Sequence, residues 1–231
     1  MSKLVKSLKE AIQLSGLKDG MTISFHHHLR NGDMVAVMVL DTITEMGIKD
    51  LNVNISSVFD THAPFIEYIR DGVVTGIETN YMGGVVGRAV SEGIMDKPVI
   101  FRTHGGRPSD IISGKSPIDV AFIAAPTSDC MGNCTGKFGK SACGSLGYAF
   151  ADAMYAKKSV VITDNLVEYP LIDYSIAENY YRGIANIQLR VKDIKKKDHQ
   201  ELILRFFALR DYNSYTSSLP KTMNTYMQVH Q

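Results

Sequence analysis

Tryptophan is missing from this 231-residue chain, cysteine occurs three times, and no stretch stays apolar for long. The lack of tryptophan excludes nothing. Three cysteines, an odd number, do not make the framework of a disulfide-stapled secreted domain; they fit a reducing compartment, and the cytoplasm is expected. No apolar run reaches the roughly 18 residues of a membrane span, so no membrane partner is expected. Lysine and arginine number 25 against 24 acidic residues, a net charge of +1. That balance offers no bulk field for nucleic acid, and none is expected as a partner. No G-x-G-x-x-G opens a first βα turn and no Walker loop occurs, which weighs against the common nucleotide folds. Glycine is unevenly spread: 18 of 19 fall between Gly16 and Gly147, and the last 48 residues have none.

What is present is a rhythm of short apolar runs and helical spacings. Met1 to Leu17 reads as an amphipathic helix through Leu4, Val5, Leu8 and Ile12, without the apolar stretch of a signal peptide. Strands are expected at Met21 to Phe25, Leu51 to Ser57, "VTGIETN", "PVIFRTHGG", Asp119 to Pro126 and Ser159 to Asn165. Helices are expected between them: Asp33 to Met46 with Asp33 as N-cap and Gly47 as stop, "APFIEYIRDG", Val85 to Gly93, and "LGYAFADAMYAKK". Alternating βα units imply an α/β fold, an open and mostly parallel sheet with flanking helices. Beyond about Tyr180 the pattern dissolves, and from Asn213 the chain is polar and reads as frayed.

In such a sheet, ligands bind at the carboxyl ends of the strands. Four loops are expected there: "HHHLRNGD", "SSVFDTHAP", "THGGRPSD" and "PTSDCMGNCTGKFGKSACGS". They carry His26, His27, His28, Arg30, His62, His104, Arg107, Lys137 and Lys140, a set suited to carboxylate-rich or phosphate-bearing ligands. The histidine run reads equally as a metal site, a ligand loop or a solvated turn, and adjacent side chains let at most two meet one ligand. Gly105-Gly106 reads as a plain turn or as backbone that a ligand approaches while Arg107 clamps it. Cys130, Cys134 and Cys143 lack the paired knuckles of structural zinc sites, so they read as incidental thiols and no metal is expected. No spacing identifies a nucleophile or a general base, and the catalytic residues stay unassigned.

Several long stretches carry a family resemblance. "SGLKDGMTISFHHHLRNGD", "SSVFDTHAPFIEYIRDGVVTGIETNYMGG", "THGGRPSDIISGKSPIDVAFIAAPTSDCMGNCTG", "SACGSLGYAFADA" and "VVITDNLVEYPLIDYSIAEN" closely resemble the alpha subunits of bacterial citrate lyase, the citrate CoA-transferase component. The match runs from about residue 4 to residue 179, and "DVAFIAAPTSDCMGN" is similar to the wider CoA-transferase family. The resemblance implies a CoA-transferase-like first domain over residues 1–180. It implies exchange of acetyl for citryl on an acyl-carrier thioester, with citrate and acetate as small molecules. It implies beta and gamma (acyl carrier) subunits as partners in an oligomeric complex. No cofactor is expected on this chain, because the CoA-like prosthetic group sits on the carrier. Citrate contacts are expected from His26, His27, Arg30 and Arg107, and thioester or CoA contacts from His104, Gly105, Gly106, Gly132 and Asn133. Family members continue into a second α/β domain, with the active site between the two. Here residues 181–231 are expected to be a divergent tail, the product of a frameshift or an assembly error, leaving the chain inactive alone. The alternative function is a non-catalytic domain that binds CoA or the carrier protein.

Overall fold

A computed structural model describes residues 3–26, 34–144 and 149–171. The chain divides into two units, Met1–Leu171 and Ile172–Gln231, and every described residue falls in the first. The expected boundary at residue 180, the tail 181–231 and the predicted cap Asp33 lie outside the described residues.

Helix α1 (Leu8–Ser15) begins where the Ser7 hydroxyl accepts from the Glu10 amide, and it ends at Gly16 in the left-handed region. Then come β1 (Thr22–His26), α2 (Val35–Glu45) and β2 (Leu51–Ile55), followed by a single 3-10 turn at Asp60–His62. The chain continues through α3 (Phe65–Arg70), β3 (Val74–Thr79), α4 (Gly84–Ser91) and β4 (Ile100–Phe101). Next are α5 (Gly106–Ile112), β5 (Val120–Ala124), β6 (Thr127–Asp129), β7 (Cys134–Thr135), α6 (Ala149–Tyr155), β8 (Lys158–Ile162) and β9 (Leu166–Val167).

All six expected strands form one sheet in the order β4-β3-β2-β1-β5-β8, and every neighbouring pair is parallel. From β1 the chain builds outward to β4, then crosses back to lay β5 on the opposite side of β1. The strand order therefore reverses between β1 and β5, where an open α/β sheet leaves a crevice at its carboxyl edge. Two elements were not expected from the sequence. One is α5, read as a loop because of Gly105, Gly106 and Pro108; Pro108 sits in the first helical turn, where a missing amide costs little. The other is a small second sheet, β7-β6-β9, in which two strands of the glycine-rich segment after β5 are joined by β9 from beyond β8.

The two faces of the main sheet differ in chemistry. On one, Ile23, Phe25, Val53, Ile55, Ile77, Val120 and Phe122 pack against Ile12, Leu40, Ile43 and Phe65 from the helices. Phe25 stacks on Phe122 with ring centroids 5.6 Å apart. On the other, α5 and α6 cover Ala121 and Ile123 of β5 with Ile111, Ala149 and Ala151. Over β1, β2 and β3 that second face presents Ser24, Asn54 and Glu78, all buried. The apolar–polar alternation of these strands would ordinarily mark a solvated face; here it marks a buried polar layer. Among the described residues no helix is long and apolar enough to cross a membrane.

Candidate functional site

Parallel strands bring the ends of β1, β2, β4 and β5 to one edge. At the reversal point β1 ends on His26, whose side chain is 7% exposed. His27, His28 and Arg30 follow directly, within residues 27–33 that lie outside the described residues.

Across the crevice, β5 runs through Ala125 and Pro126 into the small sheet, and Asp129 organises the turn beyond it. The Asp129 carboxylate accepts from the Met131 amide (2.9 Å), the Asn133 amide (3.1 Å), the Asn133 side chain (2.9 Å) and the Leu171 amide (2.8 Å). Burial pushes its carboxyl up, but the Asn133 side chain and the Leu171, Met131 and Asn133 amides outweigh this and hold it below the ordinary carboxylate value. Gly132 turns the chain at φ +84, a conformation that favours glycine. The expected thioester residues Gly132 and Asn133 thus form a turn clamped by Asp129, with the Asn133 amide nitrogen already bonded.

The third loop follows β4. His104 and Gly105 are exposed there. The Gly106 amide donates to the Thr103 hydroxyl at 3.0 Å, and the Asn80 side chain holds the Arg102 and Thr103 carbonyls at 3.0 and 2.7 Å. The Gly106 amide therefore has a partner within its own loop.

Arg107 corrects the expectation of a citrate clamp. It lies in the first turn of α5 and points beneath the sheet edge, 1% exposed. Its Nε donates to Asn54 Oδ1 at 2.6 Å, and Nη1 and Nη2 grip both oxygens of Asp152 at 3.0 and 2.8 Å. Nη2 also reaches the Ser24 hydroxyl (3.1 Å), which in turn bonds Asp152. A fork saturated inside the protein has no face left for an external anion. His62 is corrected likewise. It is fully buried, its Nδ1 accepts from the Phe59 amide at 3.0 Å, and its ring packs edge-on against Phe65. Desolvation lowers its pKa, outweighing the opposing pull of the Phe59 amide, so it is a neutral core residue.

The residues that sequence reasoning missed form the rest of this layer. Glu78 accepts from Asn52 (2.8 Å) and Ser116 (2.6 Å) and pairs with Arg102 at 2.5 Å, while Arg102 also bonds Asp110 at 2.8 Å. Asn54 joins the two halves, donating to Ser116 at 2.9 Å and accepting from Arg107. The available signal was the shared phase of Ser24, Asn54 and Glu78 on three successive strands.

Cys130 and Cys134 are half-buried and Cys143 is exposed. Among the described residues no group of three or more His, Cys, Asp or Glu is placed to hold a metal ion. An open groove of about 430 Å³ along α4, lined by Gly87, Arg88 and Ser91, contains none of the expected site residues.

A family model described as citrate lyase, alpha subunit, matches residues 1–200, past the residue 179 at which the resemblance was read to end. The citrate lyase alpha chain of Haemophilus influenzae is 48% identical over 194 residues, which take in 84% of this chain and 39% of that one. A structure assigned as the alpha subunit of citrate lyase from Streptococcus mutans, in complex with citrate, aligns at 41% identity with a TM-score of 0.75. That alignment covers 100% of this chain and 49% of the other. An acyl-CoA transferase from Escherichia coli O157:H7, solved as a thioester complex with CoA, shares the fold alone: TM-score 0.55 at 10% identity, over 74% of this chain and 44% of that one. The chain thus spans about two fifths of the curated relative and about half of the solved one. Matched by the family model over most of its length and by a close relative over 84% of it, the chain belongs to the citrate lyase alpha subunit family.

Proposed function

We propose that this chain contributes to citrate CoA-transferase chemistry, exchanging acetyl for citryl on the thioester of an acyl carrier protein. One observation carries the reading: in a member of this family, β1 ending on His26, the His104 loop after β4 and the Gly-Asn turn after β5 share one carboxyl edge, beside the reversal point. A citrate carboxylate attacks the acetyl thioester carbonyl, giving a mixed anhydride and the carrier thiolate. The thiolate then attacks the citryl carbonyl of that anhydride, forming citryl-carrier and releasing acetate. Neither step needs an enzyme nucleophile. What both need is cationic and hydrogen-bonding groups that hold a tricarboxylate and stabilise a tetrahedral oxyanion.

In this reading His26, His27 and Arg30 hold citrate, while His104, Gly105 and the Gly132–Asn133 turn flank the thioester. Arg107 takes no part in contacting citrate. The CoA-like group is the carrier's, and the alpha chain works with beta and gamma subunits in the cytoplasm, a compartment consistent with three cysteines, an odd number. Incubating the protein with acetyl-carrier and labelled citrate, then weighing the carrier by mass spectrometry, tests the proposal. Citryl-carrier is the expected product. Carrier binding without exchange would replace the proposal with a non-catalytic carrier-binding role.

A further inference from the structure

We infer that Arg107 and Asp152 are positioning residues for the acyl-exchange site: they set the His104 loop against the end of β1 without touching substrate. The inference rests on the exchange reading for its kinetic consequence only. Its first ground is place. Ser24, two residues before His26 and on the same face of β1, bonds both Arg107 and Asp152. Arg107 stands three residues after His104, and its Nη2 also reaches the Asn54 carbonyl at 3.4 Å. One guanidinium therefore ties the start of α5, and the loop before it, to the carboxyl halves of β1 and β2, while Asp152 ties α6 to the same point.

The second ground is chemistry. A buried ion pair is a poor way to gain stability, because apolar side chains of similar volume generally do as well or better. Its advantage is direction. A planar fork with two fixed bonds to one carboxylate, one to an amide oxygen and one to a hydroxyl admits a single arrangement of four elements, whereas an apolar contact tolerates sliding. The second face of β5 shows that this sheet can be covered by Ile111, Ala149 and Ala151. The polar layer sits instead between the end of β1 and the start of α5 beside the His104 loop. Displacement of about 1 Å at such a site lowers a rate by about 100-fold.

The test separates position from stability. The double variant Arg107→Met/Asp152→Leu replaces the pair by apolar side chains; because the buried Asn54 Oδ1 and Ser24 hydroxyl lose these partners, it is expected to fold with a lowered urea midpoint, and the position of the loops is read separately. In 15N-labelled full chain, the imidazole signals of His26 and His104 are expected to shift or broaden, with His62, packed among aromatic rings on the other face, unmoved. The exchange kcat is expected to fall about 100-fold while the citrate KM changes little. If the variant folds and both the imidazole signals and kcat match wild type, the pair is merely structural and the inference falls. Should the double variant fail to fold, Ser24→Ala removes one hydroxyl from the same junction; unchanged His26 and His104 signals in that variant overturn the inference equally. A wild-type chain that exchanges no acyl group refutes the proposed function, and the imidazole signals still decide the positioning.

Discussion

Replacing Asp129 by alanine exposes how much of the glycine-rich segment depends on one carboxylate. Four donors converge on it, from Met131, Asn133 (amide and side chain) and Leu171, and the residue is 2% exposed. A hydrogen bond to a charged acceptor contributes about 1.5–3 kcal/mol, and an orphaned buried donor costs about 1–3 kcal/mol. These costs do not add in full, because Gly132 is exposed and water can reach the donors once the carboxylate is gone. A loss of about 2–3 kcal/mol is expected. At a urea slope of about 2 kcal/mol per molar, that lowers the midpoint by about 1–1.5 M. Asp129→Asn is expected to cost nearly as much, since its NH2 group must face a donor. The pH dependence has a definite sign. The folded carboxyl lies below its unfolded value, so its contribution is present above the unfolded pKa of about 3.9 and is lost as pH falls through the lower folded value. Urea titration of the two variants and wild type at pH 7, with limited proteolysis across residues 130–133, checks the account. A midpoint within about 0.2 M of wild type, with an uncut turn, would refute it.

Two further outcomes follow from residues away from that turn. His62 is buried neutral and lies below its ordinary pKa of about 6.5, so the unfolded chain binds a proton that the folded one resists. Stability is therefore complete above about pH 6.5 and falls as pH drops toward the folded value; urea midpoints at pH 7.5 and 5.5 should diverge in wild type and less so in His62→Gln. Gly84 has φ +62 and its absent Cβ would collide with the Asp60 carboxylate, which accepts from the Val85 amide at 3.1 Å and caps α4. Gly84→Ala is expected to cost about 2 kcal/mol or more, read as a lowered thermal midpoint, and relief by Asp60→Ala would be partial because the cap is lost with the clash.

How much of this was legible in the sequence depended on distance along the chain. Strand phase is local: Val53 and Ile55 declare an inward face by period-two alternation, β5 declares itself buried on both faces by its near-continuous apolar run, and all six strands of the main sheet were readable. Helix ends were readable in part: Gly47, expected as a stop, follows α2 at φ +74, whereas the first helix, expected over Met1 to Leu17, spans only Leu8–Ser15 between Ser7 and Gly16. The direction of Arg107 was not. Its position next to two glycines at a strand end reads as an anion clamp, and its actual partner, Asp152, lies 45 residues away on α6. His62 sat in a polar-looking loop, and only the packing of Phe59 and Phe65 around it shows that it is desolvated.

Family membership, fold class and the clustering of candidate loops at one sheet edge were thus properties of the sequence by itself. They rest on local alternation and on motif order, which a linear string records. Which cations remain available to a ligand was decided by tertiary structure alone. A guanidinium or an imidazole binds whatever carboxylate, amide or apolar wall folding brings within about 3 Å, the reach of a hydrogen bond, and that neighbour is set by three-dimensional packing. Arg107 was withdrawn into the protein by Asp152 and Asn54, and His62 by its aromatic neighbours.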